Sequence, residues 1–197
     1  MVFKEIKKEW TQPQPDQCVP TVIKTALDNQ FAHLNIPSLS SIGSMCQYRN
    51  AYGVPIDRLK TNLKQLENMG IQFNEKEDAN IDFLKSLLDQ GSFPLILFHL
   101  RDYNKWKKGS IEVDDDGEID FHMVIIVGID PQKQEVKVFD TILDRYKNYK
   151  NSEKYDTIIY QKLYSLWTKE DLVYPVFWFT ELPRLGKKAQ KRLLENG

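Results

Sequence analysis

The 197 residues carry 41% hydrophobic side chains, 12% aromatics and a formal charge of -1, from 27 Lys+Arg against 28 Asp+Glu. That length and apolar content suffice for one domain with its own core, and no overall charge bias recommends nucleic acid or an anionic membrane as the main partner. Two cysteines, Cys18 and Cys46, are too few for a disulfide framework, and no apolar run reaches the length of a membrane span.

The first ten residues, Met1 to Trp10, contain no apolar stretch of the secretory type. They predict a cytoplasmic, reducing setting with two free thiols. A Cys18–Cys46 pairing stays open at this stage. Prolines 13 and 15 make the segment from Gln12 to Gln17 extended up to a helix start. From about Cys18 to Leu34, Val19, Val22, Ile23, Ala26, Leu27, Phe31 and Leu34 recur at steps of three and four, which predicts a helix with one buried face. Pro20 falls in its first turn, where no N–H is needed. A second helix follows Pro37 and stops near Gly53. A third runs from Pro55 to Met69, with Gly70 just beyond it.

Gln72-Phe73-Asn74 is at best a short strand. Asn80 or Asp82 caps a fourth helix ending at Gly91, and Phe93 to Leu100 reads as a buried strand. Strand patterns then take over. Ile111 to Val113 and Glu118 to Ile129 form strands joined by the acidic turn Asp114 to Glu118, Asp130-Pro131 makes a turn, and Glu135 to Asp140 alternates as a strand. Ile158, Ile159 and Val176 to Thr180 complete the sheet. A Tyr/Lys-rich insertion covers about 141–160 and a basic helix about 183–195. Helices first and strands later predict an α+β fold, N-terminal helices on a C-terminal antiparallel sheet, in a single domain over 1–197.

Cys18 is the residue on which a functional reading turns. A thiol becomes a nucleophile when a positive field or a base draws off its proton, and a helix start supplies such a field. His122, leading an apolar strand, is the candidate base; Asp140, closing the next strand, is the candidate acceptor that holds one tautomer. A glutamine side chain and the Cys18 backbone N–H would supply oxyanion donors. Among three histidines, His99 is the competing base, and His33 falls near the end of the first helix as a partner for its C-terminal dipole. Asp130 and Asp144 are fallback acids, the former more naturally a turn residue. No cofactor or metal is implied. Cys and His are too few and scattered for zinc, and the acidic turn lacks the late glutamate of a calcium loop.

The run Gln12-x5-Cys18 at a helix mouth, then Phe121-His122-Met-Val-Ile-Ile-Val-Gly128, then Val138-Phe-Asp140, resembles the papain-like cysteine peptidases, most closely the double-glycine (bacteriocin-leader) peptidase branch. The resemblance spans Gln12 to Thr180. It implies a papain-like fold, with Cys18 as nucleophile, His122 as base, Asp140 as its orienting acid and Gln12 as oxyanion donor. It also implies a peptide or protein substrate, cut at a peptide or isopeptide bond; oligomeric state is left open. The family's Cys-Gly-Pro is here Cys18-Val19-Pro20. Two other functions stay open: a catalytically inactive peptide-binding module, which Val19 favours, and an acyltransferase or deamidase on the same scaffold.

Overall fold

The computed structural model describes residues 1–13, 16–50, 52–107, 121–141, 154–169 and 172–183. The acidic turn, the strand expected at Ile111–Val113, Asp144, the greater part of the insertion and the basic helix after Pro183 lie outside those residues.

Helix α1 (Cys18–Gln30) starts where the prolines predict and ends one turn early. Gln30 ends it: its amide donates to the Phe179 carbonyl (2.7 Å) and accepts from the Phe93 N–H (3.3 Å), tying the helix end to the sheet. His33 therefore lies beyond the helix, 3.6 Å from Glu181, rather than in its last turn. Helix α2 (Leu39–Met45) opens on Ser38, whose hydroxyl accepts from the Ser41 N–H. It stops at Met45, well short of Gly53.

The expected third helix is broken. A 3-10 turn (Ile56–Arg58), one α turn, α3 (Leu59–Asn62), and a longer 3-10 stretch (Leu63–Met69) take its place. Its buried residues, Leu59, Leu63 and Leu66, end on the three-residue step that a 3-10 helix stacks on one side. Gly70, at φ +79°, reverses the chain into the next strand.

Strands β1 (Val2–Phe3), β2 (Ile71–Lys76), β3 (Leu95–His99), β4 (Phe121–Asp130), β5 (Glu135–Phe139) and β6 (Asp156–Ile159) alternate with helices α4 (Ile81–Asp89), α5 (Leu100–Lys107) and α6 (Tyr160–Trp167). A small hairpin, β7 (Thr168–Lys169) and β8 (Leu172–Val173), precedes the last strand, β9 (Val176–Glu181). The fold is α+β: an antiparallel seven-stranded sheet of order β2-β9-β3-β4-β5-β6, with β1 on β4. Asn80 caps α4 by accepting from the Phe83 N–H at 2.9 Å. The strand thought marginal at Gln72 is six residues long and pairs along its length with β9.

Helical layers cover both faces of this sheet. On one, Val22, Ile23, Ala26 and Leu27 of α1 meet Leu97, Met123, Ile125 and Val127; on the other, α4 and α6 meet Ile96, Phe98, Val124 and Val138. That second layer, which the expected arrangement of helices on a sheet did not include, explains why β4 is apolar without alternation. At Gly128 a Cβ would stand 3.0 Å from the Phe3 ring and 3.1 Å from the Val2 carbonyl, so glycine here lets β1 lie on β4 without crowding. The chain then runs back over α1, where Asn29 Oδ1 accepts from the Lys7 and Lys8 N–H groups at 2.6 and 2.9 Å.

Candidate active site

Cys18 is the first residue of α1. Its N-cap residue, Gln17, makes no side-chain capping bond, and Thr21 turns its hydroxyl back to the Gln17 carbonyl (2.7 Å). The helix carries no acidic residue in its first turn, so the field of its N-terminus acts at Cys18 without a local anion of the helix's own. Val19 is 4% exposed and belongs to the apolar cluster beneath the sheet, which directs its isopropyl group to the core. Cys46 is fully buried, and burial pushes its thiol up to about 12. Both cysteines are free, so the pairing left open above is absent.

His122, the second residue of β4, sits opposite Phe98 and is 1% exposed. Its Nε2 lies 2.9 Å from Asp140 Oδ1, directly after β5. Cys18 lies near enough to raise the basicity of the same ring, and Nδ1 is the ring nitrogen that Asp140 does not engage. Burial alone would lower the basicity of His122; the Asp140 carboxylate and Cys18 outweigh it and raise the pKa to about 10. Both neighbours thus favour the charged form of the imidazole. Gln12, 1% exposed, is tied to the residue after Asp140. Its N–H donates to the Thr141 carbonyl (3.0 Å), and its Oε1 accepts from the Thr141 hydroxyl (3.3 Å).

Three elements distant in sequence therefore converge: the start of α1, the start of β4 and the end of β5. The other candidates go elsewhere. His99 Nδ1 lies 2.8 Å from Asp102, at the start of its own α5. Asp130 accepts from the Gln132 and Lys133 N–H groups (3.1 and 3.3 Å), as a turn former does.

Sequence reasoning missed Tyr103. Fully buried on α5, it donates its hydroxyl to Asp140 Oδ2 and stacks its ring on His122, with centroids 5.0 Å apart and planes at 28°. Trp106 continues the aromatic row, 5.7 Å from Tyr103. The signal was there as Leu100, Tyr103 and Trp106 at three-residue steps in an otherwise polar octet, but no helix was expected over it. Among the described residues, no group of three or more His, Cys, Asp or Glu side chains could hold a metal, and no helix is long and apolar enough to cross a membrane.

No protein-family model matches the sequence, and no curated protein matches it. Solved structures do. A protein from Bacillus anthracis described as a C39-like peptidase superposes with a TM-score of 0.59 at 12% identity, over 92% of this chain and 98% of that one. A double-glycine motif protease from an AMS/PCAT transporter, solved in complex with its leader peptide, superposes with a TM-score of 0.53 at 10% identity, over 90% and 94% of the two chains. The chain shares its fold with these two peptidases.

Proposed function

We propose that the chain is a thiol hydrolase that cleaves a peptide or isopeptide bond through an acyl-enzyme on Cys18. One observation carries the reading: a buried His122 whose Nε2 lies 2.9 Å from the Asp140 carboxylate and whose basicity that carboxylate and Cys18 raise. An imidazolium against sulfur is the setting in which a cysteine reacts as thiolate.

In the first half-reaction Sγ attacks the carbonyl carbon, and the oxyanion is received by the Cys18 backbone N–H and the Gln12 amide. His122 gives its proton to the leaving amine as the C–N bond breaks, and a thioester remains. Water then attacks that thioester, and His122 takes up the water proton. The C–S bond breaks, the product leaves as a carboxylic acid, and the thiolate–imidazolium pair returns. Asp140 keeps the imidazole in one orientation, and Tyr103 is a positioning residue that fixes the carboxylate and the ring plane. The leader peptide held by the double-glycine protease supports a peptide as substrate here, and two free thiols suit the cytoplasmic, reducing setting expected from the sequence.

The test is selective alkylation. Iodoacetamide at neutral pH should modify Cys18 while Cys46 reacts only on unfolding, and a peptidyl vinyl sulfone should label Cys18 alone. A native protein in which no vinyl sulfone labels Cys18, or whose peptide cleavage survives Cys18→Ala, is no thiol hydrolase. The first result would leave the binding scaffold. Product analysis with a competing amine separates hydrolysis from acyl transfer.

A further inference from the structure

A cavity of about 610 Å³ adjoins these residues without containing them. It touches the site at two points. Phe121, in its wall, precedes His122. Gly53, also in its wall, packs against the segment leading to Cys18, where a Cβ would stand 3.8 Å from the Asp16 carbonyl. The rest of the wall comes from the loop after α2 and from the first 3-10 turn itself. That loop is built firmly: the Arg49 N–H donates to the Gly53 carbonyl (2.9 Å), the Gly53 N–H donates back to the Arg49 carbonyl (3.0 Å), and Gly53 adopts φ +72°. Tyr48 fastens it to the segment before α1 by donating its hydroxyl to Asp16 Oδ2 at 2.9 Å.

The lining is apolar at Val54, Ile56 and Phe121 and positively charged at Arg49 and Arg58. Asp57 is the one carboxylate in the lining, and it sits 3.8 Å from Arg58 Nε. Arg49 forms no ion pair among the described residues. Two guanidiniums against one carboxylate leave the cavity with an excess positive charge, while its apolar wall suits an extended chain. We propose that this cavity is a subsite for an acidic residue, aspartate or glutamate, of the bound peptide, close to the bond that is cut. The inference rests on the thiol hydrolase reading and narrows it to peptides that carry a carboxylate beside the cleavage point.

Two probes test it. The first is a set of tetrapeptidyl vinyl sulfones that differ only by Glu, Gln or Lys at one position at a time, read by mass spectrometry of Cys18. Glu should be favoured over Gln about fivefold at one position, as expected for a pair open to solvent. The preference should shrink with added salt and turn toward Lys in the Arg49→Glu/Arg58→Glu variant. Both arginines are exposed, so the fold tolerates the change. Equal rates for Glu and Gln at every position overturn the subsite and leave the hydrolase reading standing. The second probe is binding of the same peptides, fluorescein-labelled and without the warhead, to the Cys18→Ala protein. A Glu preference there that the arginine variant loses supports the subsite even if no warhead reacts; none at any position overturns it.

Discussion

Two buried carboxylates stand on opposite sides of this chain's chemistry. Asp28, on α1 downstream of Cys18, is 7% exposed and Asp140 is 1% exposed. Each faces a cation and an aromatic donor: Asp28 meets Lys24 at 2.8 Å, Lys8 at 2.9 Å and the Trp10 Nε1–H at 2.7 Å, while Asp140 meets His122 at 2.9 Å and the Tyr103 hydroxyl. Asp28 is answered by lysines and does no more than lock the N-terminal segment onto α1. Asp140 is answered by a group that can lose its proton and has a second nitrogen for the sulfur of Cys18. A buried carboxylate marks a reactive site only when its partner can titrate and can reach a nucleophile.

The largest effect expected separates the two directly. Asp140→Asn keeps the shape but removes the charge that holds His122 protonated. Peptide cleavage should fall by about 10²–10⁴-fold, and the advantage of Cys18 in alkylation should vanish. Asp28→Asn should cost about 3 kcal/mol of stability, because Lys24 is left buried against a neutral amide, while the folded fraction keeps its kcat. Chemical denaturation and turnover per folded molecule read both. Equal losses of turnover would erase the distinction.

Their pH dependences should differ in direction. The folded pKa of Asp28 lies below its ordinary value, since bonds from Lys24, Lys8 and Trp10 overcome the opposing effect of burial. A depressed carboxylate contributes stability that is present above its unfolded pKa of about 3.9 and lost as the pH falls. The pKa of His122 is raised from 6.5 to about 10, so its contribution is complete below 6.5 and lost as the pH rises through about 10. Unfolding measured from pH 3 to pH 10.5 should lose its acid limb in Asp28→Asn and its alkaline limb in His122→Gln. A His122→Gln protein that keeps the alkaline limb would mean that His122 is neutral in the native state.

What could be read in the sequence follows from where each signal lies. Cys18, His122 and Asp140 stand at element termini, and a proline-ended lead-in, an apolar strand and a strand end mark those places locally. The contact among them was inferred from resemblance. Strand β2 was undervalued because Gln72, Asn74 and Glu75 dilute its pattern, and what makes it a strand is six paired residues of β9, far along the chain. Helix α5 escaped notice for a related reason. Leu100 and Tyr103 are buried in it amid Arg101, Asp102 and Lys105, and the partner that makes Tyr103 worth burying, Asp140, lies far along the chain, just past β5.

Tyr103 and Trp10 give the smallest and most discriminating contrast, since each lends its carboxylate one ring donor. Tyr103→Phe keeps the ring on His122 and removes only the hydroxyl, so Asp140 Oδ2 loses a bond worth about 1–1.5 kcal/mol. If that bond fixes the carboxylate for His122, kcat should fall about tenfold with KM unchanged, and Tyr103→Leu, which also removes the stacked ring, should lower it further. Trp10→Phe takes the indole donor from Asp28 and should cost stability of the same order with kcat intact. Should Tyr103→Phe lower stability alone, as Trp10→Phe is expected to, then Tyr103 packs the core beside Asp140 but does not position it. The orientation of His122 would then rest on Asp140 unaided.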